Sequence, residues 1–249
     1  MSLESNLAAA NSCIYFAKNL LKFEPDPWQE DCLEYPGKKL LMNCSRQSGK
    51  SSCAAILALH QALYRPNSLI LIISPSLRQS SELFRKIIDL LDLMDPRPLL
   101  KEENKLSLVT GENSRIISLP ASEQTVRGFS SVDLLIYDEA ARIPDDMFFS
   151  LAPMLAVSQG STILLSTPWG KTGFFYEVWI DDTNDWKKVS IPASECPRIS
   201  KETLASEKKL IGEYFFSQEY ECQFLSATSS FFDIDRLRGL IEDGDGWQI

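Results

Sequence analysis

Eight consecutive residues, Cys44-Ser45-Arg46-Gln47-Ser48-Gly49-Lys50-Ser51, hold the densest concentration of potential chemistry in the chain. A glycine followed by a lysine and a hydroxyl residue, placed after an apolar run and at the start of a helix, is suited to holding polyphosphate. Backbone N–H groups and the helix N-terminus face the anion, the lysine reaches the β and γ phosphates, and the hydroxyl ligates Mg²⁺. The usual form of this loop opens with glycine, and Cys44 stands in that place; the other offsets are intact, and Ser52 continues into the helix. A second group, Asp133-Leu134-Leu135-Ile136-Tyr137-Asp138-Glu139-Ala140, is an apolar strand that ends in two carboxylates. Asp138 is placed to sit beside Mg²⁺ and Glu139 to orient or deprotonate an attacking water.

Three weaker signals gain meaning beside these two. Leu164-Leu165-Ser166-Thr167-Pro168 closes another apolar run, and a hydroxyl from Ser166 or Thr167 at the C-terminal end of a strand would point into the crevice where open α/β sheets bind ligands. Gln29, in Asp26-Pro27-Trp28-Gln29, offers an amide donor and acceptor suited to the edge of adenine. An arginine near the phosphates can stabilise the charge of phosphoryl transfer. Arg46, inside the loop, and Arg127, in Thr125-Val126-Arg127-Gly128-Phe129, are both candidates, whereas Arg78 and Arg142 read as ordinary surface charge.

These groups need a scaffold that brings strand ends together. From Lys39 onward, short apolar runs (40–44, 69–73, 115–119, 134–137, 162–165) alternate with longer amphipathic stretches (51–64, 76–94, 145–157). Runs so apolar suit strands covered on both faces, and the intervening stretches suit crossover helices, so the expected fold is α/β with a mainly parallel sheet flanked by helices. Residues 101–119 read as a hairpin insertion and 186–191 as a last strand. Before the sheet, one helix is expected over 5–24 and a short one over 28–34; after it, helices over 201–222 and 235–242 form a small subdomain. The expected division is a core over 1–195 and a lid or linker over 196–249.

Composition narrows the alternatives. The chain has 249 residues, 44% of them hydrophobic, and no apolar run approaches the roughly 20 residues needed to span a bilayer. Six scattered cysteines without a Cys-x-x-Cys pair, and one histidine, His60, leave almost no ligand set for zinc and only one residue around which a nucleophile triad could form. His60 falls on an apolar helix, where a packing role is expected. A net charge of −9 argues against a surface that coats nucleic acid through many phosphates, so any DNA contact must be local.

Taken together, Gln29, Ser45 to Ser51, Asp138-Glu139-Ala140-Ala141 and Ser166-Thr167-Pro168 resemble the ATPase half of the large terminase subunit of tailed bacteriophages. The likeness extends to Phe174-Phe175-Tyr176 and to Ser217-Gln218-Glu219-Tyr220-Glu221-Cys222-Gln223-Phe224. It implies a P-loop NTPase of the ASCE, RecA-like kind with a helical lid, a homo-oligomeric ring on a portal protein, a small terminase subunit as partner, double-stranded DNA as cargo, and the host cytoplasm as location. It also implies roles: Lys50 and Ser51 on the phosphates and Mg²⁺, Asp138 on Mg²⁺, Glu139 on the water, Gln29 on adenine, Arg46 as an in-loop sensor, Arg127 as a finger reaching a neighbouring subunit, and Ser166-Thr167-Pro168 as the coupling element. Such proteins continue into an RNase H-like nuclease. Asp243-Gly244-Asp245-Gly246 has no strand after it to support a metal site, so the expectation is an ATPase portion without nuclease activity. A superfamily 2-like helicase and a nucleotide-dependent switch are the rival readings; the first needs a second RecA-like unit and the second has no use for Glu139.

Overall fold

The computed structural model describes residues 3–122, 128–183 and 185–226. Its centre is an eight-stranded sheet in the order β3-β4-β5-β2-β6-β7-β1-β8. The strands are β1 (Lys39–Cys44), β2 (Leu69–Ser74), β3 (Leu100–Glu103), β4 (Ser107–Thr110), β5 (Arg115–Pro120), β6 (Leu134–Asp138), β7 (Ser161–Ser166) and β8 (Lys187–Ile191). All pairings are parallel except β3 with β4 and β4 with β5. The hairpin reading of 101–119 holds for β4 and β5. The polar edge strand β3, Leu-Lys-Glu-Glu, lacks the apolar signal of a strand and owes its place to pairing with β4.

Alternation along each strand sends one set of side chains to each face. Leu40, Met42, Ile70, Ile72, Leu134, Ile136, Ile163 and Leu165 pack under the helices α1 (Leu3–Asn11), α2 (Cys13–Tyr15), α3 (Pro27–Leu33), α4 (Lys50–Tyr64) and α5 (Leu77–Asp92). Leu41, Leu71, Ile73, Leu135, Tyr137 and Leu164 pack on the other face with α6 (Asp145–Leu151) and α7 (Phe174–Ile180). β2 and β6 are buried along their whole length, which is why they read as unbroken apolar runs.

Two helices depart from expectation. The stretch expected as one helix over 5–24 breaks at Ser12, whose side chain caps Tyr15 N and donates to Glu34 Oε1 at 2.6 Å; a π-helical turn, Phe16–Leu20, follows α2. The stretch 145–157 is α6 followed by a short 3₁₀ turn, Ala152–Leu155, that starts just before Pro153. The helix over 201–222 is α8 (Lys201–Glu219), kinked at Gly212, while the helix expected over 235–242 lies outside the described residues.

The register decides the site. β7 lies between β1 and β6, with Asn43 opposite Ser166 and Leu165 opposite Asp138. The ends of β1, β7 and β6 are therefore level, and the loop after Cys44, the hydroxyls at 166–167 and the carboxylates at 138–139 share one edge of the sheet.

Candidate active site

The loop from Ser45 to Gly49 turns the chain from β1 into α4. Gly49 caps that helix at φ +98°, a backbone conformation that costs a residue with a Cβ about 1–2 kcal/mol. A Cβ there would also meet Gln29 Nε2 at 2.6 Å. Cys44 in the place of the usual first glycine is accommodated because its side chain is fully buried in the core beneath α4, where burial holds its thiol well above the ordinary range. All six cysteines are buried and free.

Lys50 folds back over the loop. Its side chain is only 8% exposed, with Nζ 3.5 Å from the Ser45 carbonyl and 3.8 Å from Glu139 Oε1. Glu139 follows the end of β6 with φ +52°, ψ +45°, a left-handed conformation uncommon outside glycine and found disproportionately at functional sites. Its other oxygen, Oε2, accepts from Ser166 Oγ at 3.5 Å. Asp138 is 6% exposed, its Oδ1 has no hydrogen-bond partner, and burial, reinforced by the charge of Glu139, pushes its carboxyl up to about 7. A buried, unpartnered carboxylate oxygen at the end of β6 and the half-buried Ser51 hydroxyl residue in the first turn of α4, at the same edge of the sheet, are donors that suit a hard divalent cation, which takes oxygen ligands. Arg46, Gln47, Lys50, Gln79, Glu139, Arg142 and Thr167 line a cleft of about 450 Å³ over these groups.

The structure thus brings Ser45 to Ser52, Asp138, Glu139, Ser166, Thr167 and Pro168 to one edge, with Ser166, Thr167 and Pro168 buried. Gln29 is near but differently employed. It is fully buried, its Oε1 accepts from Asp26 N at 2.8 Å in a capping box, and its Nε2 donates to the Gly49 carbonyl at 3.2 Å. The amide expected on adenine is here spent beneath the phosphate loop. Arg142, read as ordinary surface charge, instead lines the cleft and stacks on Trp169, 4.0 Å from the ring centroid. Arg127 lies outside the described residues.

A further set of contacts comes from the end of β8 and the segment after it. Ser45 N donates to the Ile191 carbonyl and Arg46 N to the Glu219 carbonyl; Asn43 Nδ2 donates to the Cys222 carbonyl at 3.0 Å. Arg198 forms a two-pronged pair with Asp26 (2.9 and 2.8 Å) and also donates to the Ser48 carbonyl at 2.8 Å. Glu219 holds the Arg46 guanidinium at 2.6 Å. Neither Arg198 nor Glu219 has a spacing signal that ties it to the loop; only the return of the chain over β8 does.

A parallel sheet with a phosphate loop after one strand, an acidic pair after another, and a hydroxyl-bearing strand between them defines a P-loop NTPase fold of the ASCE kind. Residues 41–238 match the family described as "Terminase large subunit, T4likevirus-type, N-terminal", and the chain belongs to that family. The large terminase subunit of Thermus virus P23-45 is 25% identical over 249 residues, covering 86% of this chain and 51% of that protein. That of Escherichia phage T5 is 27% identical over 224 residues, covering 84% and 50%. The chain therefore spans about half the length of these relatives. The Thermus phage P74-26 large terminase ATPase domain superposes with a TM-score of 0.75 at 23% identity, covering 86% of this chain and 99% of that one, a likeness of fold.

Proposed function

We propose that the chain hydrolyses Mg-ATP as the ATPase portion of a DNA-packaging terminase motor. The observation that carries this reading is the Lys50–Glu139 pair, 3.8 Å apart at the lip of a cleft that opens on the phosphate loop. The loop amides and the N-terminus of α4 would receive the phosphates, with Lys50 on the outer two. Ser51 and Asp138 would hold Mg²⁺, which, when bound, neutralises charge on the transferred group. Glu139 would take the proton of the attacking water as its oxygen bonds to the terminal phosphorus and ADP departs. Gln29 acts on the nucleotide through the loop it supports, and Arg46, with Arg127 supplied by a neighbouring copy, would meet the charge on the terminal phosphate.

Ser166 touches Glu139, so a change in that carboxylate's hydrogen bonding reaches the end of β7 and, through Thr167 and Pro168, the segment carrying Trp169. This is the route by which hydrolysis would move double-stranded DNA. Family membership supports a homo-oligomeric ring docked on a portal protein in the host cytoplasm, with a small terminase subunit as partner. The test is ATP turnover by Glu139→Gln: loss of about 100-fold or more is expected, and a variant as fast as the wild type would sink the mechanism.

A further inference from the structure

Beyond β6, on the side away from the phosphate loop, the cleft is bounded by the first turn of α5, where Gln79 joins Lys50 and Glu139 in its lining. Ser76 caps that helix. Its hydroxyl accepts from Gln79 N at 3.3 Å and donates to Gln79 Oε1 at 2.8 Å. In the common reciprocal box the third side chain turns back to the backbone N–H of the cap; here it takes the hydroxyl of the cap instead. The amide oxygen is thereby used within its own helix turn, and a carboxamide fixed by its oxygen has its NH₂ donors left to offer. Gln79 is half-buried, and its Nε2 has no hydrogen-bond partner among the described residues.

The strand that leads into this turn carries a second, independent observation. Ile73 and Tyr137 pair across β2 and β6 and both face the core shared with α6 and α7, so alternation turns Ser74 and Asp138, one residue on, to the opposite face together. Ser74 is fully buried, and its Oγ, like Asp138 Oδ1, has no hydrogen-bond partner. Buried polar atoms are nearly always satisfied. Two orphans at neighbouring strand ends are what a site completed by a bound ligand and its water presents.

We propose that Gln79 is a further catalytic residue, its Nε2 donating to an oxygen of the terminal phosphate of ATP and so distinguishing the triphosphate from the diphosphate. This deepens the ATPase reading and rests on it. Lys50 meets the phosphate from the loop and Gln79 meets it from α5, while Glu139, which only accepts, is left for the attacking water. Because Ser76 holds Oε1, the donor is already oriented when the phosphate arrives, the condition under which a hydrogen bond best stabilises developing charge. ADP keeps its phosphates in the loop and has nothing for Gln79 to bind.

The test is calorimetric titration of the whole chain with Mg-ADP and with the Mg complex of a non-hydrolysable β,γ-imido analogue of ATP. Steady-state hydrolysis of Mg-ATP runs beside it, with Lys50→Ala as reference. Gln79→Ala is expected to weaken binding of the triphosphate about tenfold and of ADP less than about twofold, and to lower kcat/KM about tenfold or more. Gln79→Glu keeps an acceptor for Ser76 but sets an anion where the donor stood, so it should lose at least as much triphosphate affinity. The cap from Ser76 Oγ to Gln79 N does not use the Gln79 side chain, so α5 should hold; should Gln79→Ala nevertheless fail to fold, Gln79→Glu carries the test. Equal losses for the two nucleotides, no loss for either, or a Gln79→Glu that binds the triphosphate as tightly as wild type overturns the proposal while leaving the ATPase reading intact. A wild type no faster than Lys50→Ala removes the ATPase reading, and this inference with it.

Discussion

Lys50 and Glu139 face each other across the cleft at 3.8 Å, the lysine from the first turn of α4 and the glutamate from the residue after β6. The ammonium is also 3.5 Å from the Ser45 carbonyl, so it is held over the loop by one carbonyl acceptor and one ion pair. Lys50→Ala removes the cation meant for the outer phosphates and leaves two adjacent carboxylates without it. Nucleotide affinity and turnover should both fall, turnover by roughly two orders of magnitude or more. Equilibrium binding of a fluorescent ATP analogue together with phosphate release checks this, and full binding by the variant would contradict it.

Asp138 makes a prediction about stability that does not depend on turnover. Its carboxyl, raised from 3.8 to about 7 chiefly by burial, keeps its proton in the folded chain at pH values where the unfolded chain has lost it. The folded state therefore binds more protons between about pH 4 and 7, and stability falls as pH rises through that window. Above pH 7 the full penalty, on the order of 4 kcal/mol at most, is present. In Mg²⁺-free buffer at pH 8, Asp138→Asn should melt above the wild type, with the gain shrinking towards pH 4. Added Mg²⁺ should raise the wild-type midpoint and leave that of the variant unchanged. A variant that melts below wild type at pH 8 would argue against a strained, unpartnered carboxylate.

How far these features were legible depends on how local they are. The loop, the acidic pair and Ser166-Thr167 each declare themselves through a strand and the turn that ends it, and level strand ends follow once the strands pair in parallel. Arg46 was legible as a loop arginine for the same reason, and it lines the cleft. Its anchor, Glu219, was not, because 173 residues separate them and no periodicity links a loop to the end of a distant helix. Arg142 was read as surface charge and is exposed, but its place against Trp169 and Glu219 is set by distant parts of the chain that its spacing does not reveal. Gln29 was read for its amide, but a sequence does not say that this amide bonds Asp26 N and the Gly49 carbonyl.

The single histidine predicts an acid response of the opposite sign to that of Asp138. His60 is held between Phe16 and Tyr64, with ring centroids at 5.4 and 5.1 Å, and its Nε2 lies 2.9 Å from the Ala9 carbonyl, which accepts. Burial lowers its pKa, helped by Arg65 and opposed by the Ala9 bond and Glu34. A histidine with a depressed folded pKa takes up its proton first in the unfolded chain, so its contribution is present above the ordinary range near 6.5 and is lost as pH falls below it. Chemical denaturation in steps from pH 7.5 to 5, run in an Asp138→Asn background that removes the opposing carboxyl, should show that decline, and His60→Gln should flatten it. An identical slope in the variant would place the acid sensitivity elsewhere.

The supports beneath the phosphate loop give the last prediction. Gln29 donates to the Gly49 carbonyl, Arg198 donates to the Ser48 carbonyl, and Asp26 is bound by both, through its amide to Gln29 and its carboxylate to Arg198. Carbonyls tied down from below turn the opposite edge of each peptide towards the cleft, which is what a cradle of N–H groups requires. Loosening either tie should weaken the grip on phosphate without regard to the base. Gln29→Ala and Arg198→Ala are each expected to raise the dissociation constants for ATP and GTP by a similar factor, about three- to tenfold, since each removes one hydrogen bond to a loop carbonyl. Gly49→Ala, which brings a Cβ to 2.6 Å from Gln29 Nε2 at a positive φ, should cost more than either. Calorimetric titration with both nucleotides is the decisive measurement: a loss confined to ATP in Gln29→Ala would return that amide to the adenine edge, because only a base contact discriminates between purines.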